Sequence, residues 1–184
     1  MGLTASNIDL LGSKAFDFRL LEVKSEKEYS LDDLKGPKGT LVMFICNHCP
    51  YVIHIIDGIV ALANEYQKEG ISFIAINSND VISYPEDGPE NMVRFAKEHH
   101  FPFHYLFDES QHVAKQYDAV CTPDFNLLDE NKVIIYRGRF DIARPGNKAE
   151  INGSDMREAI DRLLKGEDPV KDQFPSLGCN IKWK

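Results

Sequence analysis

The sequence predicts an α/β protein in which a central mixed β-sheet is flanked by helices. Unbroken apolar runs at 41–45 and 71–76 have the length of strands buried on both faces. Between them, apolar residues recur at three- and four-residue steps from Val52 to Tyr66, which predicts a helix. A strand–helix–strand unit of these lengths gives parallel strands, and a predicted hairpin on either side adds antiparallel ones.

Local signals define the first elements. Residues 15–31 alternate apolar and polar side chains around a charged turn, which predicts an N-terminal β-hairpin. A strand at 40–45 and a helix over about 50–68 follow, because Pro50 suits the first turn of a helix and Gly70 suits a helix end.

The second half of the chain is interpreted in the same way. Pro89 suits the first position of a helix, and the pair Asp108 and Gln111 resembles a capping box that opens a short helix. Ser154 is predicted to cap the last helix, which Gly166 ends. The remaining predicted elements are a strand at 103–107, a second hairpin at 125–136 and a tail at 167–184.

Composition indicates a globular protein with one domain over 1–184, in which 167–184 is a C-terminal extension. The net charge of −8 disfavours nucleic-acid binding, because phosphate contacts need clustered Lys and Arg. Residues 1–11 have neither a basic start nor an apolar run of signal-peptide length, and no segment approaches the ~20 apolar residues of a membrane span. We therefore expect a cytoplasmic protein that binds neither nucleic acid nor membrane.

Two cysteines at the predicted strand–helix junction form the main candidate site. Cys46 and Cys49 are separated by Asn47 and His48. We expect Cys46 at or just before the helix N-terminus, where backbone N–H groups and the helix dipole can lower a thiol pKa from about 8.5 to roughly 3.5–7.5. Cys49, about one turn away, can then resolve a mixed disulfide formed by Cys46. His48 can further stabilise the Cys46 thiolate.

Several motifs resemble the thioredoxin-like superfamily. That superfamily pairs a C-x-x-C at a strand–helix junction with a cis-proline before a β-hairpin, and Cys46, Cys49 and Pro123 stand at these places. More narrowly, the chain resembles the peroxiredoxin-like redoxins, which are related to the AhpC/TSA proteins. The motifs that carry this resemblance lie at 46–52, 84–87, 121–125, 136–141, 144–147 and 178–184.

The resemblance implies a thioredoxin-like fold and thiol–disulfide chemistry that needs no bound cofactor or metal. Cys46 is then the nucleophile and Cys49 the resolving thiol. Pro123 is expected to be cis and to position the backbone of a disulfide-bearing partner. Thr122 and Arg137 are expected to support the site. One of Arg137, Arg139 and Arg144 can favour a thiolate at Cys46 or bind an anionic ligand, and the alternative is that these arginines are exposed or ion-paired at the surface.

Two further cysteines leave alternatives open. Cys121 lies two residues before Pro123, so it is either an additional redox thiol or a small buried residue. Cys179 lies in the tail. It acts as a distant resolving cysteine if the tail folds over the site, and otherwise it simply packs.

The sequence therefore predicts a thiol–disulfide oxidoreductase, an antioxidant redoxin that takes a protein or small-molecule disulfide and is recycled by an external thiol reductant. The first alternative is a thiol-dependent peroxidase of the peroxiredoxin type, with a hydroperoxide substrate. Peroxiredoxins have a proline seven residues before the peroxidatic cysteine and a threonine or serine three residues before it. Neither cysteine here has these residues: the corresponding positions are Gly39 and Met43 for Cys46, and Val42 and Cys46 for Cys49.

The second alternative is a non-catalytic metal-binding module, in which Cys121 or a histidine completes a zinc site.

Overall fold

The structure is a computed structural model that describes residues 3–184. The first two residues, which belong to the predicted domain and to the segment considered for a leader, lie outside the described part. The strands are β1 (Leu3–Ala5), β2 (Arg19–Glu22), β3 (Lys27–Ser30), β4 (Gly39–Phe44), β5 (Ile71–Asn77), β6 (His104–Phe107), β7 (Cys121–Thr122), β8 (Asp124–Asp129), β9 (Ile134–Arg137) and β10 (Leu177–Asn180). The helices are α1 (Leu31–Leu34), α2 (Pro50–Tyr66), α3 (Pro89–Glu98), α4 (His112–Gln116) and α5 (Ser154–Lys165), with 3-10 turns at Gln67–Glu69 and Pro85–Asp87.

Seven strands form the central sheet in the order β3-β2-β6-β5-β4-β8-β9. Strands β4, β5 and β6 are parallel, whereas all other neighbours in this sheet are antiparallel. The predicted mixed sheet and its two hairpins are therefore confirmed. The register pairs Phe44, at the end of β4, with Asp124 at the start of β8. The residues that follow β4 consequently emerge next to the residues that precede β8.

A second sheet of three antiparallel strands, in the order β1-β10-β7, joins both ends of the described chain to the segment before β8. Cys179 of β10 pairs with Leu3 on one side and with Thr122 on the other. The tail therefore contains a strand that the sequence did not predict, and this strand lies beside Thr122.

Buried side chains pack on both faces of the central sheet. All six residues of β4 are buried, and they alternate between the faces, with Leu41 and Met43 in one cluster and Val42 and Phe44 in the other. This burial on both sides explains the continuous apolar run in the sequence. Within residues 3–184, none of the helices has the length and apolarity needed to cross a bilayer.

The predicted capping box of Asp108 and Gln111 is wrong. Helix α4 begins at His112, and Gln111 precedes it with a left-handed φ of 62°. The Gln111 side chain donates instead to the Ser78 carbonyl at 2.7 Å, so it is held away from the helix N-terminus. Asp108 accepts from the N–H of Ala114, within the helix. A tertiary contact thus replaces the local cap.

The start of the last helix is also displaced from its prediction. Gly153 is the N-cap residue of α5, with a φ of 65°, and Ser154 is the first helical residue. Glycine is favoured at 153 because that φ lies in the left-handed region. Helix α1 was not predicted, although Ser30 and Asp33 form a complete capping box at its start.

Candidate active site

The C-x-x-C segment lies between the end of β4 and the start of α2. Helix α2 begins at Pro50, so Cys49 is its N-cap residue. The prediction that Cys46 lies at or just before the helix N-terminus is therefore wrong. Its physical reason is Pro50: a residue before proline is disfavoured in the helical region, and Cys49 is extended, with φ −72° and ψ 120°. The positive end of the helix dipole consequently lies nearer to Cys49.

Thr122 contacts both cysteines from the segment before β8. Its hydroxyl oxygen lies 3.3 Å from the Cys46 sulfur, and its carbonyl oxygen lies 3.2 Å from the Cys49 sulfur, where it accepts a hydrogen bond whenever Cys49 is protonated. The peptide bond between Thr122 and Pro123 is cis, as the resemblance implies. The structure thus brings together four of the residues that the sequence singled out.

The tail supplies a third thiol to this cluster. Cys179 lies opposite Thr122 in the pairing of β10 with β7, and its backbone N–H and its thiol both hydrogen-bond to the Cys49 sulfur. Gly178 permits this close approach, because a Cβ at that position would overlap the Thr122 carbonyl oxygen. Of the two placements left open by the sequence, the structure shows the one in which the tail folds over the site.

The hydrogen bonds among the thiols shift their acidities in opposite directions. The Cys46 thiol makes the largest contribution to lowering the pKa of Cys49, which falls to about 5 despite burial. Hydrogen bonds from Cys179 and from the Val52 N–H act in the same direction. The same contact with Cys49 raises the pKa of Cys46, as do burial and the nearby Asp87 carboxylate. In the reduced protein the negative charge therefore rests on Cys49, and Cys46 keeps its proton.

Asp87 is a fully buried carboxylate beside Cys46 that the sequence analysis did not select. Its Oδ1 accepts from the Asn47 N–H at 2.8 Å, and its Oδ2 accepts from the Asn79 side-chain amide at 2.7 Å. The Nδ1 atom of His48 lies 2.7 Å from the same Oδ2. This contact raises the pKa of His48 above its ordinary 6.5, so the imidazolium persists to higher pH beside the cysteine turn.

The loop that carries Asp87 is docked onto the C-x-x-C turn. The Asn47 side chain donates to the Glu86 carbonyl at 3.0 Å and accepts from the Tyr105 hydroxyl at 3.0 Å. The ring of Tyr84 stacks on His48, with 5.8 Å between centroids and 4° between planes. The motif at 84–87 is thus part of the site, and its place in the family resemblance was the signal in the sequence that pointed to it.

Two other predicted residues have different surroundings. Arg137 is fully buried and forms an ion pair with Asp124 at 3.3 Å, so its charge is balanced there, and a role at Cys46 stays a prediction. The Cys121 thiol is buried, lies 3.7 Å from the Pro123 carbonyl, and has its pKa raised by burial. This environment is typical of a small buried residue and not of a reactive thiol.

One group of side chains has the chemistry of a metal site. Cys46, His48 and Asp87 each offer a ligand atom, and these atoms lie within 4.8 Å of one another. Thiolate, imidazole and carboxylate are all zinc ligands. This set differs from the predicted completion of the C-x-x-C pair by Cys121 or another histidine. A metal here would compete with the hydrogen bonds that Asp87 already accepts.

Comparisons with known proteins agree with this architecture. The AhpC/TSA family model matches residues 11–142. The thiol-disulfide oxidoreductase ResA of Halalkalibacterium halodurans is 27% identical over 125 residues, which cover 67% of this chain and 65% of the length of that relative.

Two solved structures show the same fold. The crystal structure of an uncharacterized conserved protein from Geobacillus kaustophilus is 48% identical, with a TM-score of 0.98 and coverage of 100% of this chain and 97% of that one. A secreted disulfide oxidoreductase of Mycobacterium tuberculosis is 13% identical, with a TM-score of 0.58 and coverage of 81% and 95%. The fold is thioredoxin-like, and the chain belongs to the AhpC/TSA family of redoxins.

Proposed function

We propose that this protein is a thiol–disulfide oxidoreductase whose redox centre is the Cys46–Cys49 pair. The observation that carries the proposal is the contact of both sulfurs with Thr122, at 3.3 Å from Cys46 and 3.2 Å from Cys49, and the interaction between the two thiols agrees with it. Two thiols already in contact need little movement to form a disulfide. Membership of the AhpC/TSA family and the similarity to part of a thiol-disulfide oxidoreductase support the proposal.

The proposed cycle begins when Cys46 passes its proton to Cys49 and attacks a substrate disulfide. The Cys46 sulfur bonds to one substrate sulfur, and the other leaves as a thiolate that takes the proton from Cys49. Cys49, whose pKa of about 5 keeps it ionised at neutral pH, then attacks Cys46. This step releases the reduced substrate and leaves the Cys46–Cys49 disulfide, which an external thiol reductant reduces.

Two neighbouring groups are proposed to favour negative charge on Cys46 during the attack. The Thr122 hydroxyl, at 3.3 Å, donates to the developing thiolate. The His48 imidazolium, held by Asp87, adds positive charge to the turn.

A cavity beside Pro123 is the proposed substrate site. Its volume is about 240 Å³, and its walls include Tyr51, Pro123, Phe140 and Arg144. Apolar and aromatic walls with a charged group suit a peptide or small-molecule disulfide. Because only 1% of Cys46 is exposed, the substrate reaches the sulfur through a local opening of the site.

A thiol peroxidase is the second candidate, and one contact favours it. Thr122 places a hydroxyl beside Cys46 from a different part of the chain, whereas position 43, three residues before Cys46, is a buried methionine. In that reaction a hydroperoxide oxidises the Cys46 thiolate to a sulfenic acid and leaves as an alcohol or water. Cys49 then attacks the sulfenic acid and releases water.

Oxidation of the reduced protein by oxidised glutathione or, separately, by hydrogen peroxide distinguishes these functions. The proposal predicts a Cys46–Cys49 disulfide that forms quickly with oxidised glutathione and slowly with peroxide. Fast formation of sulfenic acid at Cys46 by peroxide would favour the peroxidase instead. Resistance of the pair to both oxidants, with zinc bound after purification without chelator, would contradict both and support a metal-binding module.

A further inference from the structure

Cys49 lies near two other cysteines: Cys46 precedes it in the same turn, and Cys179 lies on β10 opposite Thr122, whose carbonyl oxygen is 3.2 Å from the Cys49 sulfur. Its sulfur accepts hydrogen bonds from the thiols of both Cys46 and Cys179, and all three residues belong to one buried cluster. A sulfur in a disulfide can be attacked by any thiol that reaches it, with release of its former partner. The arrangement therefore gives Cys49 two potential disulfide partners, one from the C-x-x-C turn and one from the tail.

Hydrogen bonds of residues that precede and follow Cys179 in the sequence fix its position. The Ser176 N–H donates to the Ser6 hydroxyl at 2.9 Å, and the Ile181 N–H donates to the Val120 carbonyl at 3.0 Å. Between these contacts, Gly178 allows β10 to press against the Thr122 carbonyl. The third thiol is thus held at Cys49 by the backbone of the three-stranded sheet.

We infer that Cys179 is a third redox-active residue, which attacks Cys49 in the Cys46–Cys49 disulfide and transfers the disulfide to Cys49–Cys179. The inference rests on the proposed function, because that function supplies the first disulfide. The bond between Cys49 and Cys179 forms as the bond between Cys46 and Cys49 breaks, and Cys46 leaves with the electron pair. The proton of Cys179 passes to Cys46. The step is an exchange with no net oxidation, and an external dithiol still reduces the final disulfide.

The oxidation state of Cys49 controls when this exchange can occur. In the reduced protein, burial and then the hydrogen bond to Cys49 raise the pKa of Cys179 to about 12, so Cys179 is a donor and not a nucleophile. Oxidation of Cys49 removes its negative charge and with it the second of these effects. The exchange therefore follows formation of the first disulfide, because Cys49 can be attacked only when it is part of a disulfide, and it returns Cys46 to its thiol form.

Cys121 provides a matched control on the adjacent strand. In the pairing of β10 with β7, Cys179 lies opposite Thr122 and Asn180 lies opposite Cys121. The Cys121 thiol is directed to the Pro123 carbonyl. Cys121 and Cys179 are similarly buried. The hydrogen bonds that favour the Cys49 thiolate include those from Cys179 and not one from Cys121.

Peptide mapping of the wild-type protein tests the inference. Trypsin places Cys46 and Cys49 together on peptide 39–68, Cys121 on 116–132 and Cys179 on 172–182. After oxidation by oxidised glutathione and trapping with N-ethylmaleimide, we expect peptide 39–68 linked to 172–182, with maleimide on Cys46. Cys179→Ser and Cys179→Ala should lose the linked peptide and retain a disulfide within 39–68. Cys121→Ser should form the linked peptide as the wild type does.

The failures of the two proposals are distinguishable in the same experiment. A disulfide within 39–68, with Cys179 alkylated at all times, would overturn the transfer and leave the oxidoreductase intact. Absence of both disulfides after oxidation would overturn both. The wild-type result stands without the variants, so a folding defect in a Cys179 variant does not affect the test.

Discussion

The central sheet and the three-stranded sheet meet at Pro123, and they contribute to the site in different ways. The central sheet carries the cysteine pair at the end of β4, a six-residue strand that is buried throughout. The three-stranded sheet carries Thr122 and Cys179 on strands of two and four residues that join distant parts of the chain. The first sheet is a rigid support, whereas the second lies against the sulfurs and is held by few backbone pairs.

Because of this difference, the central sheet mainly determines the stability of the fold, and the small sheet mainly determines how accessible the thiols are. A strand buried on both faces opens only with the whole fold, whereas a short strand at the end of the chain can open locally. We therefore expect substitutions in the central sheet to change the free energy of unfolding and substitutions in the small sheet to change the accessibility of the thiols. Four predictions test this division. The first concerns the cysteine pair, which lies where the two sheets meet.

The largest expected effect follows from removal of a cysteine at the end of β4. Cys46→Ser and Cys49→Ser should each reduce the rate of disulfide exchange to the uncatalysed rate, because one removes the attacking sulfur and the other the resolving sulfur. Cys121→Ser, in the small sheet, should retain the wild-type rate. Reduction of oxidised glutathione, coupled to an external dithiol, provides the measurement. Equal losses in all three variants would show that the cysteine pair has no special part in the exchange.

The next effect concerns the buried ion pair of the central sheet. Arg137→Met should lower the free energy of unfolding by roughly 3–5 kcal/mol, because it leaves Asp124 buried without its partner. Arg139→Met is the matched control, since the Arg139–Asp155 pair is partly exposed and should contribute at most about 1 kcal/mol. Urea unfolding of both variants measures the difference. Similar values for both would show that the burial of Arg137 has no energetic consequence.

A smaller effect is expected in the strand that lies against the thiols. Gly178→Ala should push β10 away from Thr122, because the added Cβ overlaps the Thr122 carbonyl. We expect alkylation of Cys49 in the native protein to accelerate about tenfold, which corresponds to roughly 1.4 kcal/mol in the opening equilibrium. Leu177→Ala, on the same strand, adds no atoms and should change the rate less. An unchanged rate in Gly178→Ala would mean that β10 does not control access.

The last prediction concerns the pH dependence of the thiolate. Ultraviolet absorbance should show one thiolate in the reduced protein above pH about 5, which becomes protonated as the pH falls below that value. Because an ordinary thiol titrates near 9.0, the stability that this charge contributes is largest above that pH and is lost as the pH falls through about 5. Cys46→Ala removes the strongest hydrogen bond to Cys49 and should move the midpoint upward, whereas Cys121→Ala should not. A wild-type midpoint near 9.0 would contradict the assignment.

The same division explains how much of the fold could be predicted from the sequence. Strands β4 and β5 are recognisable because their apolar runs are long and lie on either side of an amphipathic helix. Strands β1 and β10 have three and four residues and pair with each other across almost the whole chain, so no local pattern marks them. The false capping box at Asp108 has the same origin, because Gln111 is held by a carbonyl distant in the sequence.

The candidate site, like the fold, was predictable where local motifs mark it and not where distant contacts form it. Cys46, Cys49 and Pro123 follow from motifs within the chain, and the structure places them together. The place of Cys179 depends on the small sheet, and the place of Asp87 depends on a loop that docks onto Asn47. Spacing along the chain carries no information about such contacts. The thiolate was expected at Cys46, but the pattern of hydrogen-bond donors, which sequence does not reveal, favours Cys49.

The Cys46–Cys49 pair is proposed as the redox centre of this protein. The most direct measurement is equilibration of the protein in glutathione buffers of increasing reduction potential, with the oxidised fraction of peptide 39–68 determined at each potential. We expect a single reversible two-electron transition in the wild type and in Cys179→Ser, and its loss in the double variant Cys46→Ser/Cys179→Ser, in which Cys49 has neither of its two partners. A peptide 39–68 that stays fully reduced across the range in which glutathione oxidises protein dithiols would contradict it.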